Sequence, residues 1–222
     1  MDPPPGTSRR PDGPGAAAHR STIAELRNQA RRCHACSLWK PATQTVFGEG
    51  PQDARILVLG EQPGDQEDRS GHPFVGPAGK LLDRALAEAG IDRDTLYLTN
   101  TVKHFKFEPR GKRRLHQRAN AAEQAACRQW LEAELASIRP RRILCLGAMA
   151  AQAIFGRGFH LMKERGQWRT IAPGVRAMAT VHPSYVLRVR GAEERADAYA
   201  EFARDLAARR ERPSSRQRSP KS

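Results

Sequence analysis

The chain has 222 residues, 39% of them hydrophobic, and a formal net charge of +14. That length suffices for one α/β domain with a sizeable core, and a sequence pI of about 10.6 points to a polyanion partner, most simply nucleic acid. No apolar run is long enough to cross a membrane and no membrane partner is expected. The N-terminus lacks the apolar stretch of a secretory signal, so the four cysteines argue for a reducing compartment, and for metal or cluster ligation over disulfides.

Residues 1–20 are rich in Pro, Gly and Ala without apolar periodicity and read as a disordered tail. Thr22 to Arg32 reads as a helix with Ser21 as its N-cap, running into Cys33-His34-Ala35-Cys36. Arg55 to Leu59 is a short unbroken apolar run, the pattern of a strand buried on both faces. Gly60 ends it, and Glu61, Gln62 and Asp65 follow around the Pro63-Gly64 turn. Polar groups at the carboxyl end of such a strand sit where open α/β sheets hold their ligands; the plain alternative is an acidic βα turn. Gly71 to Pro77 is a constrained loop whose one large aromatic is Phe74.

Ala78 to Ala89 is a strongly amphipathic helix stopped by Gly90. A second strand, Leu96 to Asn100, leads into a polar loop over Lys103 to Gln117. A helix over Ala119 to Ile138 carries Cys127. A third strand, Arg142 to Leu146, opens a helix through Phe155. A fourth, Arg176 to Val181, ends in His182-Pro183-Ser184, and Glu193 to Ala208 is the last helix. Residues 209–222 form a basic, Arg/Ser/Pro-rich stretch that reads as a second disordered tail. Strands alternating with helices predict right-handed βαβ units. The expected fold is a single-domain, three-layer α/β/α sandwich over residues 21–208 with a central four-stranded parallel sheet. Glu61, Asn100, Gly147 and His182 then open on one edge.

Cys33-x-x-Cys36 alone is half of a zinc site or a redox pair. It follows a helix rather than a strand, which argues against a thioredoxin-type role. Cys145, between Leu144 and Leu146, reads as a core hydrophobe. Cys33, Cys36 and Cys127 remain and want a fourth ligand, with His34 and His104 as candidates; His34 lies between the pair and would crowd it. Thiolates favour iron–sulfur or zinc, and the residues alone leave both open.

Lys112-Arg113-Arg114-Leu115-His116 forms a basic run that attracts phosphates or is simply a solvated charged face. Surrounding cations depress a histidine pKa, which keeps the His116 imidazole neutral and nucleophilic.

Gly60-Glu61-Gln62-Pro63-Gly64-Asp65, Pro73-Phe74-Val75-Gly76, Thr99-Asn100 and His182-Pro183-Ser184 together resemble the motifs of the uracil-DNA glycosylase superfamily. The cysteine arrangement resembles its iron–sulfur branch, family 4. Gln62, where family 4 usually has a small residue, and the Lys-Arg-Arg-Leu-His loop resemble the X-type branch, whose members become covalently joined to uracil-DNA; Leu115 stands where that loop usually has Ile. The resemblance implies that Phe74 stacks on an extruded uracil and that Asn100 reads its polar edge. His182 would hydrogen-bond the uracil carbonyl. Glu61, Gln62 and Asp65 would lie near the sugar, and His116 would attack the anomeric carbon. Lys112, Arg113, Arg114, Ser184 and Arg188 would hold DNA. Cys33, Cys36 and Cys127 would bind a 4Fe-4S cluster, with His104 where family 4 has its remaining cysteine. The implied protein is a monomeric, cytoplasmic, nucleoid-associated repair enzyme, with uracil in single-stranded DNA as preferred substrate. The alternatives are a multiple-turnover family 4-type glycosylase, a non-catalytic DNA sensor with a redox-active cluster, and a zinc protein with a nucleotide site.

Overall fold

The structure, a computed structural model, describes residues 21–208; the two tails read from the sequence lie outside the described residues. In chain order the elements are α1 (Ile23–Ala30), β1 (Ile56–Gly60), α2 (Asp65–Ser70), α3 (Pro77–Glu88), β2 (Leu96–Asn100), β3 (Phe107–Arg110), β4 (Arg113–His116), α4 (Ala121–Ile138), β5 (Arg142–Leu146), α5 (Ala148–Phe155), α6 (Leu161–Glu164), β6 (Arg169–Ala172), β7 (Val175–Thr180), α7 (Pro183–Arg188) and α8 (Ala192–Ala207).

Side chains alternate across the central strands, and both alternating sets are buried. Leu57, Leu59, Ile143, Cys145, Ala177 and Ala179 face α1, α4 and α5. Val58, Leu144, Leu146 and Met178 face α3, α7 and α8. Period-two alternation with both faces covered is the condition for a three-layer α/β/α sandwich. Cys145 is fully buried on the first face, as a core hydrophobe should be.

The sheet order is β2-β1-β5-β7-β6. β2, β1, β5 and β7 run parallel, whereas β6 is antiparallel to β7. The expected four-stranded parallel sheet thus has a fifth, antiparallel edge strand. β6 is short and largely exposed on the sheet edge, so it lacks the apolar run that marks the others. A turn at Gly174, with φ +74, returns the chain into β7.

The polar loop expected over Lys103 to Gln117 is also more ordered than its composition suggests. Lys103, His104 and Phe105 are buried, and β3 and β4 then form an antiparallel hairpin with Phe107 opposite His116. Gly111, at φ +58, turns it. Helix starts are locally encoded: Thr22, not Ser21, caps α1 through a reciprocal box with Glu25, and Asn120 with Glu123 does the same for α4.

Candidate active site

Because four strands run parallel, their carboxyl ends meet along one edge. Gly60-Glu61, Asn100, Gly147 and the His182 cap of α7 all lie there. Asn100 is buried, with 3% of its surface exposed, so its amide can pair only with what enters the site. Gly60 makes room: a Cβ there would run into Asn100 Oδ1 and come within 2.7 Å of Phe74 Cζ. The absent side chain lets a polar amide and an aromatic ring close on the strand end.

Phe74 occupies the left-handed region, φ +57, where a bulky residue is strained and the surroundings must impose the conformation. Arg93 Nη2 donates to the carbonyls of Pro73 and Phe74 at 3.3 and 3.2 Å, and Arg93 is itself held by Asp83. Gly79 of α3 lies so close beneath Phe74 that a Cβ there would strike its carbonyl. The ring is 5% exposed and lies 6.5 Å from the His182 ring, at an interplanar angle of 28°.

His182 receives the Ser184 N–H on Nδ1 at 3.2 Å, and the Ser184 hydroxyl lies 2.8 Å from the same nitrogen. Arg188 Nη1 donates to Ser184 Oγ at 3.0 Å. A nitrogen that accepts from the backbone carries no proton, so the neutral ring bears its hydrogen on Nε2. Desolvation, helped by His116 and Arg188, pushes the His182 pKa down to about 4. His182 is therefore a neutral donor at physiological pH.

His116 is exposed at the end of β4, within electrostatic reach of Glu61, Arg188 and His182. Its ring centroid lies 6.1 Å from that of Phe105. Its pKa is lowered, as expected, but desolvation is the main cause; Glu61 opposes the shift and Arg188 adds to it. The neighbouring cations of the loop are not the cause.

Three residues expected at the ligand also make contacts that hold the hairpin. Gln62 is buried and donates through Nε2 to the carbonyls of Lys106 and Gln117, at 3.2 and 2.9 Å, across the hairpin base. Arg114 is not turned to solvent for phosphate. It pairs with Asp65, donates to Asp68 Oδ2 at 2.7 Å, and lies over the rings of Phe105 and Phe107. Asp65, in the first turn of α2, is occupied by Arg114 and Arg69 rather than facing a sugar. Lys112 and Arg113 are exposed at the hairpin tip. Ser184 and Arg188 bond each other next to His182.

On the far side of the hairpin, the three cysteine thiols lie close enough to perturb one another. Burial raises the Cys127 pKa to about 11 and also raises that of Cys36, with the neighbouring thiols adding to both shifts. Lys103 N–H donates to Cys127 Sγ and Trp130 Nε1–H to Cys33 Sγ, each at 3.2 Å. Leu38, Val102, Ala119 and Met149 form the apolar shell. Among the described residues, no three His, Cys, Asp or Glu side chains converge as a single ion requires. His104 Nε2 is 2.9 Å from Thr45 Oγ1, and no contact joins His104 to the three sulfurs. His34 stacks on Trp39.

The family model described as "Uracil DNA glycosylase superfamily" matches residues 47–207. The chain belongs to the uracil-DNA glycosylase superfamily. A type-4 uracil-DNA glycosylase from Thermotoga maritima is 40% identical over 168 residues, covering 75% of this chain and 84% of that protein. A type-4 uracil-DNA glycosylase from Pyrobaculum aerophilum is 34% identical over 195 residues, 83% of this chain and 91% of that one. A type-5 uracil-DNA glycosylase from the same organism is 29% identical over 187 residues, 77% and 76%. In this superfamily member the residues read from sequence divide into two groups. Glu61, Phe74, Asn100, His116 and His182 gather at the sheet edge, whereas Gln62, Asp65 and Arg114 support the hairpin from behind. Sequence reasoning missed Arg93, whose contacts to the Phe74 loop span about twenty residues with no motif. It read Gly60 only as a strand end, although its lack of a Cβ is what lets Asn100 and Phe74 approach.

Proposed function

We propose that this protein is a uracil-DNA glycosylase of DNA repair, which cleaves the N-glycosyl bond of uracil in DNA and releases the base. The observation that carries the reading is the meeting of Phe74 and Asn100 at the Cβ-free Gly60, with the His182 ring 6.5 Å from that of Phe74. Extruding the base from a duplex costs unstacking energy, least for single-stranded substrate, which is therefore expected to be preferred. Phe74 would stack on the base, worth about 1–3 kcal/mol. The Asn100 amide would donate to one polar group of uracil and accept from another. Cytosine would leave that buried amide mispaired, at a cost of about 1–3 kcal/mol per group. As the bond from sugar to base breaks, the electron pair moves onto the base. The neutral His182 would donate its Nε2–H to the carbonyl where that charge gathers, a contribution of roughly 3–4 kcal/mol. Glu61 would orient the water that meets the sugar cation, while Lys112 and Arg113 would grip phosphate. We place the protein, as a monomer, in the cytoplasm beside the nucleoid.

The cysteines suit an iron–sulfur cluster. Two of them accept an N–H each, and an apolar shell surrounds them. Cys33, Cys36 and Cys127 would hold a 4Fe-4S cluster, and His104 would complete it only through Nδ1, since Nε2 is engaged by Thr45. When bound, the cluster would tie the segment after α1 to α4 at the root of the hairpin.

A second reading has one observation in its favour. His116 is held within reach of Glu61 and His182, with a lowered pKa. In the X-type reading its neutral imidazole would form the new bond to the anomeric carbon as uracil departs, and its proton would pass to Glu61 or water. The relatives named type-4 favour release over capture. One experiment separates the two. Protein is mixed with excess uracil-containing single-stranded DNA, free uracil is counted, and the mixture is run on a denaturing gel. Uracil beyond one equivalent per protein, without a shifted band, is the expected result. A heat-stable shifted band, lost in His116→Ser, with uracil stopping at one equivalent, would replace release by capture.

A further inference from the structure

The opposite edge of the sheet, where the parallel strands begin, holds a solvent-open pocket of about 530 Å³. Its lining includes Arg55, Arg141, Arg142, Arg176 and Thr170, and among the described residues no carboxylate. These arginines enter from three adjacent strands. Arg141 and Arg142 donate their backbone N–H groups to the Arg55 carbonyl, each at 3.0 Å. Arg142 is the Cα partner of Arg176 across β5 and β7. The arginines concentrate positive potential on this edge. Two of the guanidinium groups are also fixed in place. Arg142 lies 5.8 Å from the centroid of the Trp168 ring, and Arg176 Nη2 donates to the Trp168 carbonyl at 3.3 Å. Arg55 and Arg141 are exposed at the rim.

We infer that this amino-edge pocket is a second nucleic-acid site, which holds backbone phosphates of the DNA away from the base being read. Guanidinium forks match phosphate oxygens in pairs, and the Thr170 hydroxyl can add a donor. Three strands at about 4.8 Å spacing make a row roughly 10 Å wide, which covers about three nucleotides at 3.4 Å of axis per strand. The strands between the two edges are about 17 Å long. A DNA strand seated at Asn100 must therefore run at least about five nucleotides further to reach the arginines. The pocket would hold the protein on long DNA without taking part in base recognition. The inference rests on the reading of the protein as one that acts on DNA, so the test uses DNA without uracil.

Binding of fluorescein-labelled, uracil-free single strands of about 6 and about 30 nucleotides, lengths set by the 3.4 Å rise, is measured against salt for wild type and Arg55→Gln/Arg141→Gln. For the long strand the double variant should lose roughly tenfold affinity at 0.1 M salt, and its salt slope should fall by about 1.4, or about 0.7 per phosphate contact. The short strand, which can sit at either edge but cannot bridge both, should lose much less. Thr170→Asp, which adds a negative charge and leaves the arginines in place, should act in the same direction. Equal binding of the long strand by all three proteins would overturn the inference, as would equal losses for both lengths. Unchanged DNA binding with lost binding of an oligoglutamate probe would assign the pocket to an acidic protein segment instead. Failure to release uracil in the separate assay would leave this binding result standing.

Discussion

His182 shows how much one ring depends on its immediate neighbours. Its nature as a strand-tip histidine before Pro183-Ser184 was legible in the sequence. Its protonation state was not, because that follows from the Ser184 N–H and from burial. The sign of its pH dependence can be worked out. The folded pKa, about 4, lies below the ordinary value of about 6.5, so the unfolded chain binds the proton more readily. The stability His182 contributes is whole above about pH 6.5 and is lost as pH falls towards 4. Thermal melting of wild type and His182→Asn between pH 7.5 and pH 4 should show a stability gap that narrows as pH falls, a range set by those two pKa values. A gap constant across the range would show that the ring is not held neutral. Asn100 and Glu61 were equally legible, since both follow from where buried strands end. The hairpin contacts of Gln62, Asp65 and Arg114 were not legible, because their partners lie some fifty residues away, beyond any local pattern.

The hairpin β3–β4 is the element whose position decides what His116 can do. Arg114 fastens it to α2, and Asp68, which Arg114 meets, is fully buried. Removing one partner of a buried ion pair costs about 3–5 kcal/mol, here moderated by the Thr43 N–H that Asp68 also accepts. Arg114→Ser should therefore speed amide hydrogen exchange across residues 107–116 and lower the melting temperature. Lys112→Ser/Arg113→Ser, at the exposed tip, should leave exchange and melting unchanged and instead weaken DNA binding, with a shallower salt dependence. If Arg114→Ser copies the tip variant, Arg114 belongs to the DNA surface. The sequence conceals this hairpin because its four-residue strands carry more charge than apolar alternation, and β6, four mostly exposed residues, is too short to show a period. The short α2, hidden behind Pro63-Gly64, had too few residues to show a helical period. By contrast α3 and the central strands were visible from long, regular apolar patterns, with boundaries shifted by about a residue.

Across the whole molecule the architecture was readable because each central strand buries both faces, which leaves a composition unlike any surface strand. What the sequence hid was a charged network inside the core. Lys103 and Glu134, 1% and 0% exposed in their side chains, pair at 2.6 Å. Glu134 also accepts from Tyr97, Thr99 and the Gly48 N–H. Lys103 Nζ donates to the Asn100 carbonyl at 2.7 Å, while its backbone N–H reaches Cys127 Sγ. One residue thus joins the cysteine group to the strand tip that carries Asn100. A lysine and a glutamate thirty-one positions apart look like ordinary surface charges until α4 is folded onto the sheet. The sheet then sets two basic regions at opposite edges, with Gly60, Phe74 and Asn100 at one of them.

The site at Gly60 is most directly tested by mass-spectrometric measurement of free base after incubation with single-stranded oligonucleotides that contain one uracil, or cytosine and thymine alone. Uracil should appear from the first and no base from the second, and Asn100→Ala should cut the rate by roughly 5- to 150-fold, the equivalent of about 1–3 kcal/mol. Uracil-DNA recovered intact from the wild-type protein, or an Asn100→Ala variant as fast as wild type, would contradict the account.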